Sequence, residues 1–146
     1  MQYHFIITMT NIIVGDADCL IAVVNIVDEH HERAKSALVK IAKNGVRVYF
    51  PVTAIAEALT TFQRKLSNSE LTAKLFELCR DKKLLLLAVD QEIISLAGPL
   101  FKPTGSKKNT FFDAIVAATA IKYKTRIIFS FDSWYEKKGF VLAYKI

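Results

Sequence analysis

The sequence predicts an α/β three-layer sandwich with a central parallel sheet of four to five strands. Three observations carry this. From Asn11 onward, short runs rich in Ile and Val alternate with longer stretches of helical periodicity, the order produced by helix-connected parallel strands. The run Leu84 to Val89 has no polar alternation, as expected of a strand covered on both faces. Asp16 and Asp132 each follow an apolar run, at the carboxyl ends where open parallel sheets place their sites.

Each element has its own local signal. Asn11 to Gly15 is a short buried strand, followed by a helix from Cys19 to about Asn25. Glu29 to Lys43 is a helix with Ala34, Ala37, Leu38 and Ile41 on one face, ended by Asn44-Gly45. Val46 to Phe50 is the second strand. Pro51 and Thr53 open a helix carrying Ile55, Ala58, Leu59, Phe62 and Leu66; Ser67-Asn68-Ser69 breaks it before a further helix from Leu71 to Cys79. Leu84 to Val89 is the third strand and Gln91 to Ala97 a helix. Gly98 to Asn109, with two prolines and two glycines, is a loop interrupted at Leu100-Phe101. Thr110 to Tyr123 is a central helix and Arg126 to Phe131 the fourth strand. A turn of helix follows Asp132, and Val141 to Tyr144 is a short edge strand. Residues 1–10 either extend the first strand or form an N-terminal extension, and the length of 146 residues favours one domain over 1–146.

The hydrophobic fraction of 52% exceeds what a core of this size requires, so a deeply buried sheet or an apolar interface is expected. The net charge of +6 is compatible with a nucleic-acid partner. Cys19 and Cys79 form no CxxC pair, and no bridge between them is expected. The start of the chain lacks a basic segment and a small-residue cleavage site, and Asp16, Asp18 and Asn25 interrupt the apolar stretch Ile12 to Val27. A reducing, cytoplasmic setting without membrane association is the expectation.

Against the basic background, four acids stand out: Asp16, Glu57, Asp113 and Asp132. A lone charge at the edge of an apolar segment is costly without a partner or a metal. Each also has an ordinary explanation. Asp18 fits the N-cap of the following helix, and a cap accounts for Asp16 less well because it sits closer to the strand. Glu57 has Thr53, Thr60 and Thr61 as helical neighbours, which suits a solvated face. Thr110-Phe111-Phe112-Asp113 fits a capping box. Asp132 fits a turn before Ser133-Trp134, with the Ser130 hydroxyl nearby.

Taken in order, Asp16-Ala17-Asp18-Cys19-Leu20-Ile21-Ala22, Pro51-Val52-Thr53-Ala54-Ile55-Ala56-Glu57, Phe112-Asp113-Ala114-Ile115-Val116-Ala117-Ala118-Thr119-Ala120 and Phe129-Ser130-Phe131-Asp132 resemble a PIN domain, particularly the VapC-type ribonuclease toxins of type II toxin–antitoxin systems. Asp28-Glu29-His30-His31-Glu32-Arg33-Ala34 looks like the family's second-helix opening. The resemblance implies a PIN-like fold in which Asp16, Glu57, Asp113 and Asp132 bind one or two Mg²⁺ or Mn²⁺ ions and catalyse RNA hydrolysis. It also implies a homodimer and an antitoxin partner. There are departures. Asp18 stands where the family often has Asn or Ser. Trp134 stands where a second Asp is common, which puts a second ion in doubt. Thr53 is expected to orient a carboxylate.

The residue chemistry points the same way. Carboxylates are hard oxygen ligands suited to Mg²⁺ or Mn²⁺, and no Cys/His cluster competes for a metal. Two carboxylates at about 4 Å in an effective dielectric of about 20 repel by roughly 4 kcal/mol, which a divalent cation offsets. Lys107 and Lys108 precede Asp113 and are candidates for phosphate contact, with Thr53 and Ser130; Arg64 and Lys65 lie beyond Glu57. His30 and His31 are expected to be solvated. Phe62, Leu66, Leu71, Leu75 and Phe76 suit either core or a partner surface. Two rivals fit less of the sequence. Asp16-Ala17-Asp18 mimics the nucleophile and acid of a haloacid-dehalogenase-like phosphatase, without that family's later motifs, and Asp90 mimics a receiver phosphoacceptor. A non-catalytic PIN-fold interaction protein is the third alternative.

Overall fold

In the computed structural model, residues 11–105 and 108–146 are described; the expected extension at 1–10 and Lys107 lie outside them. Five parallel strands form one sheet: β1 (Ile12–Gly15), β2 (Arg47–Pro51), β3 (Leu85–Leu87), β4 (Ile127–Phe129) and β5 (Val141–Leu142), in the order β3-β2-β1-β4-β5. The helices are α1 (Ala17–Val24), α2 (His31–Lys43), α3 (Val52–Thr60), α4 (Ser69–Arg80), α5 (Gln91–Ala97), α6 (Phe111–Lys122) and α7 (Trp134–Lys137).

Alternation within the strands builds the three layers. Ile13, Ile127 and Phe129 pack with Leu20, Ala34 and Ile41 of α1 and α2. Their neighbours Val14 and Ile128 pack with Val116, Ala117 and Ala120 of α6, and with Tyr135. β1 and β4 are therefore buried on both sides. Helix α6 is buried from Asp113 to Thr119 and on to Ala120, packing on α5, α3 and the sheet, so it is apolar nearly all round.

Several expectations are corrected. The first helix begins at Ala17 and the second at His31. β3 is not a strand covered on both faces: it is the sheet edge, with Leu86 41% exposed. Its continuous apolar run mimics a central strand, but a run of Leu does not record which neighbours cover it. The helix through Glu57 continues into a π turn at Thr61–Lys65, and Ser67 takes a left-handed φ of 46° before Asn68 caps α4. Gly98–Leu100 is a 3-10 turn, and the last strand stops at Leu142 before another 3-10 turn. Phe62 and Leu75 are core, whereas Leu66 and Phe76 are exposed.

Gly15 shows how tightly the end of β1 is packed. A Cβ there would lie 2.3 Å from the ring of Phe50, which is itself buried. The buried ring must shift from its packed position to admit the methyl group, so Gly15→Ala is expected to destabilise the protein by about 1–3 kcal/mol. A drop in the urea midpoint with an unchanged slope checks this; an unchanged midpoint contradicts it.

Candidate active site

The strand order reverses at β1: the chain runs outward to β2 and β3, then returns to β4 on the other side. Clefts of open sheets lie at such reversals, beyond the carboxyl ends. Asp16 leaves β1 here and Asp132 follows β4. The loop after β2 leads straight into α3, which carries Thr53 and Glu57, and the N-terminus of α6 brings in Asp113.

Asp16 is buried and its backbone N–H donates to the Phe129 carbonyl at 3.0 Å, extending the β1–β4 ladder. It is also the N-cap of α1, correcting the assignment of that cap to Asp18. Its Oδ1 accepts from the Ala17 N–H at 2.7 Å and its Oδ2 from the Tyr135 hydroxyl at 2.7 Å. Burial raises its pKa well above the usual carboxylate range; Asp18 and Asp113 add to this, and the Tyr135 hydrogen bond opposes it.

Asp18 reaches across to β4. Its Oδ2 accepts from the Ser130 hydroxyl at 2.9 Å and from the Phe131 N–H at 2.8 Å. Ser130 in turn accepts from the Asp132 N–H at 3.0 Å. Ser130 is fully buried, so its hydroxyl links two acids and does not face the cleft. Asp132 is held on both oxygens: Oδ1 accepts from the Trp134 N–H at 2.9 Å, and Oδ2 from the Asn109 amide at 2.8 Å.

Asp113 closes the expected capping box, its Oδ2 accepting from the Thr110 N–H at 2.9 Å. Capping and membership of the acid cluster are thus compatible. Burial raises its pKa, with Asp132 and Asp18 adding to the effect and the Thr110 N–H and Asn109 amide opposing it. Glu57 is half-buried, and burial, then the charges of Asp113 and Asp18, push its pKa up to about 7. Its Oε2 is buried without a hydrogen-bond partner, as is the Thr53 Oγ1 one helical turn earlier. Buried polar atoms without partners are rare, and these two lie one turn apart on the same helix.

The acids therefore form one electrostatic cluster. Among the described residues, however, no three acidic, His or Cys side chains converge into a ready ligand cage. The residues present still fit a hard divalent cation: the donors are all oxygens, the orphaned Glu57 Oε2 is free to ligate, and the shared repulsion falls when positive charge enters.

A cleft of about 480 Å³ lies beside the cluster, lined by Asp18, Asp28, His30, Lys108, Phe131 and Asp132 among others. A larger hollow of about 590 Å³ between Leu59 and Phe76 contains none of the acids, so it is not the site of their chemistry. Lys108 is thus one of the residues lining this cleft. His30 and His31 are less solvated than expected: the His30 ring packs against Phe131, tilted by 35° with centroids 4.8 Å apart, and the His31 Nδ1 lies 2.7 Å from the Ala22 carbonyl. Asp90 caps α5 and pairs with Lys122, away from any phosphoacceptor role.

Two site residues escaped the sequence: Asn109 and Tyr135. Asn109 contacts an acid 23 positions away, which no local pattern encodes. Tyr135 left a faint signal, since a tyrosine in an apolar setting needs a partner for its hydroxyl.

A family model for the PIN domain matches residues 13–141. The fold is similar to Mycobacterium tuberculosis VapC20, described as a sarcin-ricin loop cleaving toxin, with a TM-score of 0.75 and 19% identity, covering 88% of this chain and 96% of that one. It is also similar to FitAcB from Neisseria gonorrhoeae, with a TM-score of 0.59 and 17% identity, covering 90% of this chain and 95% of that one. A search of curated proteins returned no match. No helix among the described residues is long and apolar enough to cross a membrane. With the family model spanning the sheet from β1 to β5 and both structural neighbours sharing its layers, the chain belongs to the PIN domain family.

Proposed function

We propose that this protein is a divalent-metal-dependent endoribonuclease that hydrolyses RNA phosphodiester bonds and serves as the toxin of a type II toxin–antitoxin system. The observation that carries this is the unpartnered Glu57 Oε2, aligned with Thr53 and electrically coupled to Asp113 and Asp18. Asp16, Glu57, Asp113 and Asp132 would hold Mg²⁺ or Mn²⁺. The chemistry such a cation supplies when bound is a supply of hydroxide near neutral pH and neutralisation of charge building on the scissile phosphate.

The chain's own residues do the rest. Ala17 N–H and Tyr135 fix Asp16, the capping box fixes Asp113, and Asn109 with Trp134 N–H fixes Asp132. Such fixed ligands limit reorganisation during the reaction. Glu57, with its pKa near 7, holds a proton for part of the time at neutral pH and gives it up when positive charge arrives. Thr53, whose buried hydroxyl has no partner one turn before Glu57, would orient Glu57 or a phosphate. Lys108, and Lys107 beside it in sequence, supply positive charge for the flanking phosphates, contacts that position RNA without reading its sequence. Ser130 acts through Asp18 and Asp132. VapC20, which shares the fold, is described as a sarcin-ricin loop cleaving toxin, and this supports the proposed cleavage of RNA. A cytoplasmic setting, a homodimer and a cognate antitoxin belong to the same proposal; exposed Leu66 and Phe76 offer apolar surface for a protein partner.

Incubation of the protein with a mixed RNA pool tests it. Discrete products are expected with Mn²⁺ and none with a chelator. Cleavage unaffected by the chelator, or no cleavage under either condition, would sink the proposal.

A further inference from the structure

We infer that Tyr135 is a positioning residue, its phenol holding the Asp16 carboxylate in the orientation the cation site requires; this rests on the metal-dependent function proposed above. Tyr135 is fully buried, packed with Val14, Val116, Ala117, Ala120, Ile128 and Leu142. Packing in such a pocket calls for a ring, and a phenylalanine would satisfy it. The hydroxyl is an added polar atom whose burial is unfavourable unless it is bonded. It donates to Asp16 Oδ2 at 2.7 Å, while Ala17 N–H takes Oδ1 at 2.7 Å. The two donors, one per oxygen, leave the carboxylate a single orientation, yet each oxygen keeps lone-pair capacity for a cation.

The placement of Tyr135 makes this more than satisfaction of a buried acid. Short helix α7 begins where the Trp134 N–H donates to Asp132 Oδ1, and one residue later it delivers the phenol to Asp16. The Trp134 ring meets the Tyr135 ring edge-on at 5.2 Å, which further fixes the tyrosine. A single turn of helix thus sets the orientation of two of the four acids, and links the β1 acid to the β4 acid across the sheet. Outer partners of metal ligands commonly change metal affinity by about 10–100-fold when removed.

Tyr135→Phe keeps the ring and removes only the donor. Mn²⁺ binding is read as the Mn²⁺-dependent rise in melting midpoint, measured within each variant, together with kcat and KM on an RNA oligonucleotide. The expected result is Mn²⁺ affinity about 10-fold weaker or more, an unchanged KM for RNA, and cleavage that recovers as Mn²⁺ is raised. Val116→Ala, a lesion in the same apolar cluster that removes no hydrogen-bond donor, is the control: it should lower the metal-free midpoint and leave Mn²⁺ affinity as in the wild type. Wild-type Mn²⁺ affinity in Tyr135→Phe overturns the inference while the nuclease proposal stands. An equal loss of affinity in Val116→Ala also overturns it, since general loosening would then explain the effect. If the wild type takes up no Mn²⁺, both proposals fall.

Discussion

Asp113→Asn is expected to reduce Mn²⁺-dependent RNA cleavage by about 100-fold or more while leaving the fold intact. The substitution keeps a side-chain oxygen that can accept from the Thr110 N–H, so the capping box largely survives. It removes one negative charge from a cluster in which Asp113 acts on both Asp16 and Glu57. Cation-based charge stabilisation contributes several kcal/mol to such reactions, and each 1.36 kcal/mol is tenfold in rate, which sets the scale. Single-turnover cleavage of a fixed RNA by wild type and variant measures it. Equal rates would mean that the activity belongs to a contaminant or that Asp113 is only a cap.

The second large effect concerns Glu57 and has the opposite sign for stability. Folding raises its pKa from 4.5 to about 7, so the folded state retains a proton that the unfolded chain gives up earlier. Between those values stability of the metal-free protein falls as pH rises, because the unfolded state is the one that gains from ionising. Full conversion of the shift would overstate the effect for a half-exposed group; screening leaves about 1–2 kcal/mol. Glu57→Gln should therefore make the metal-free protein about 1–2 kcal/mol more stable at pH 8 and flatten the decline between pH 4.5 and 7. Some slope remains, since Asp16 and Asp113 are raised as well. Urea unfolding across that pH range checks the sign; a variant less stable than wild type at pH 8 would show that Glu57 has a stabilising partner.

The two predictions share a cause. A cluster of carboxylates that raises the pKa of its own members is unfavourable for folding alone, and a bound cation would offset that repulsion. The hydrogen bonds around it do not neutralise the charge. They fix direction: Ala17 N–H and Tyr135 for Asp16, Ser130 and Phe131 N–H for Asp18, Asn109 and Trp134 N–H for Asp132.

Much of this was legible in the order of elements. Alternating strands and helices determine a parallel sheet, and acids at strand ends and helix starts are brought together by the crossover connections. The capping box at Thr110 was visible because its spacing is local. The limits were equally physical. Burial of β3 depended on its rank in the sheet, and an apolar run does not encode that rank. Asp16 and Asp18 exchanged roles because the helix begins two residues earlier than its apolar stripe suggests. Asn109, Tyr135 and the Ser130 bridge act over long sequence separations, where only the folded chain makes them neighbours. The tie of Tyr135 to Asp16 also changes the meaning of Trp134: the helix that lacks a further acid there instead supplies donors to two acids.

The central claim is that the acids at the carboxyl edge of the sheet exist to hold a divalent cation. Calorimetric titration of Mn²⁺ into the wild-type protein at pH 6.5, repeated in buffers of different ionisation enthalpy, tests it most directly. Glu57, with its pKa raised to about 7, holds a proton for much of the time at that pH, so binding is expected to release up to about one proton per ion, and fewer from Glu57→Gln. Binding without proton release, or no binding at all, would contradict the account.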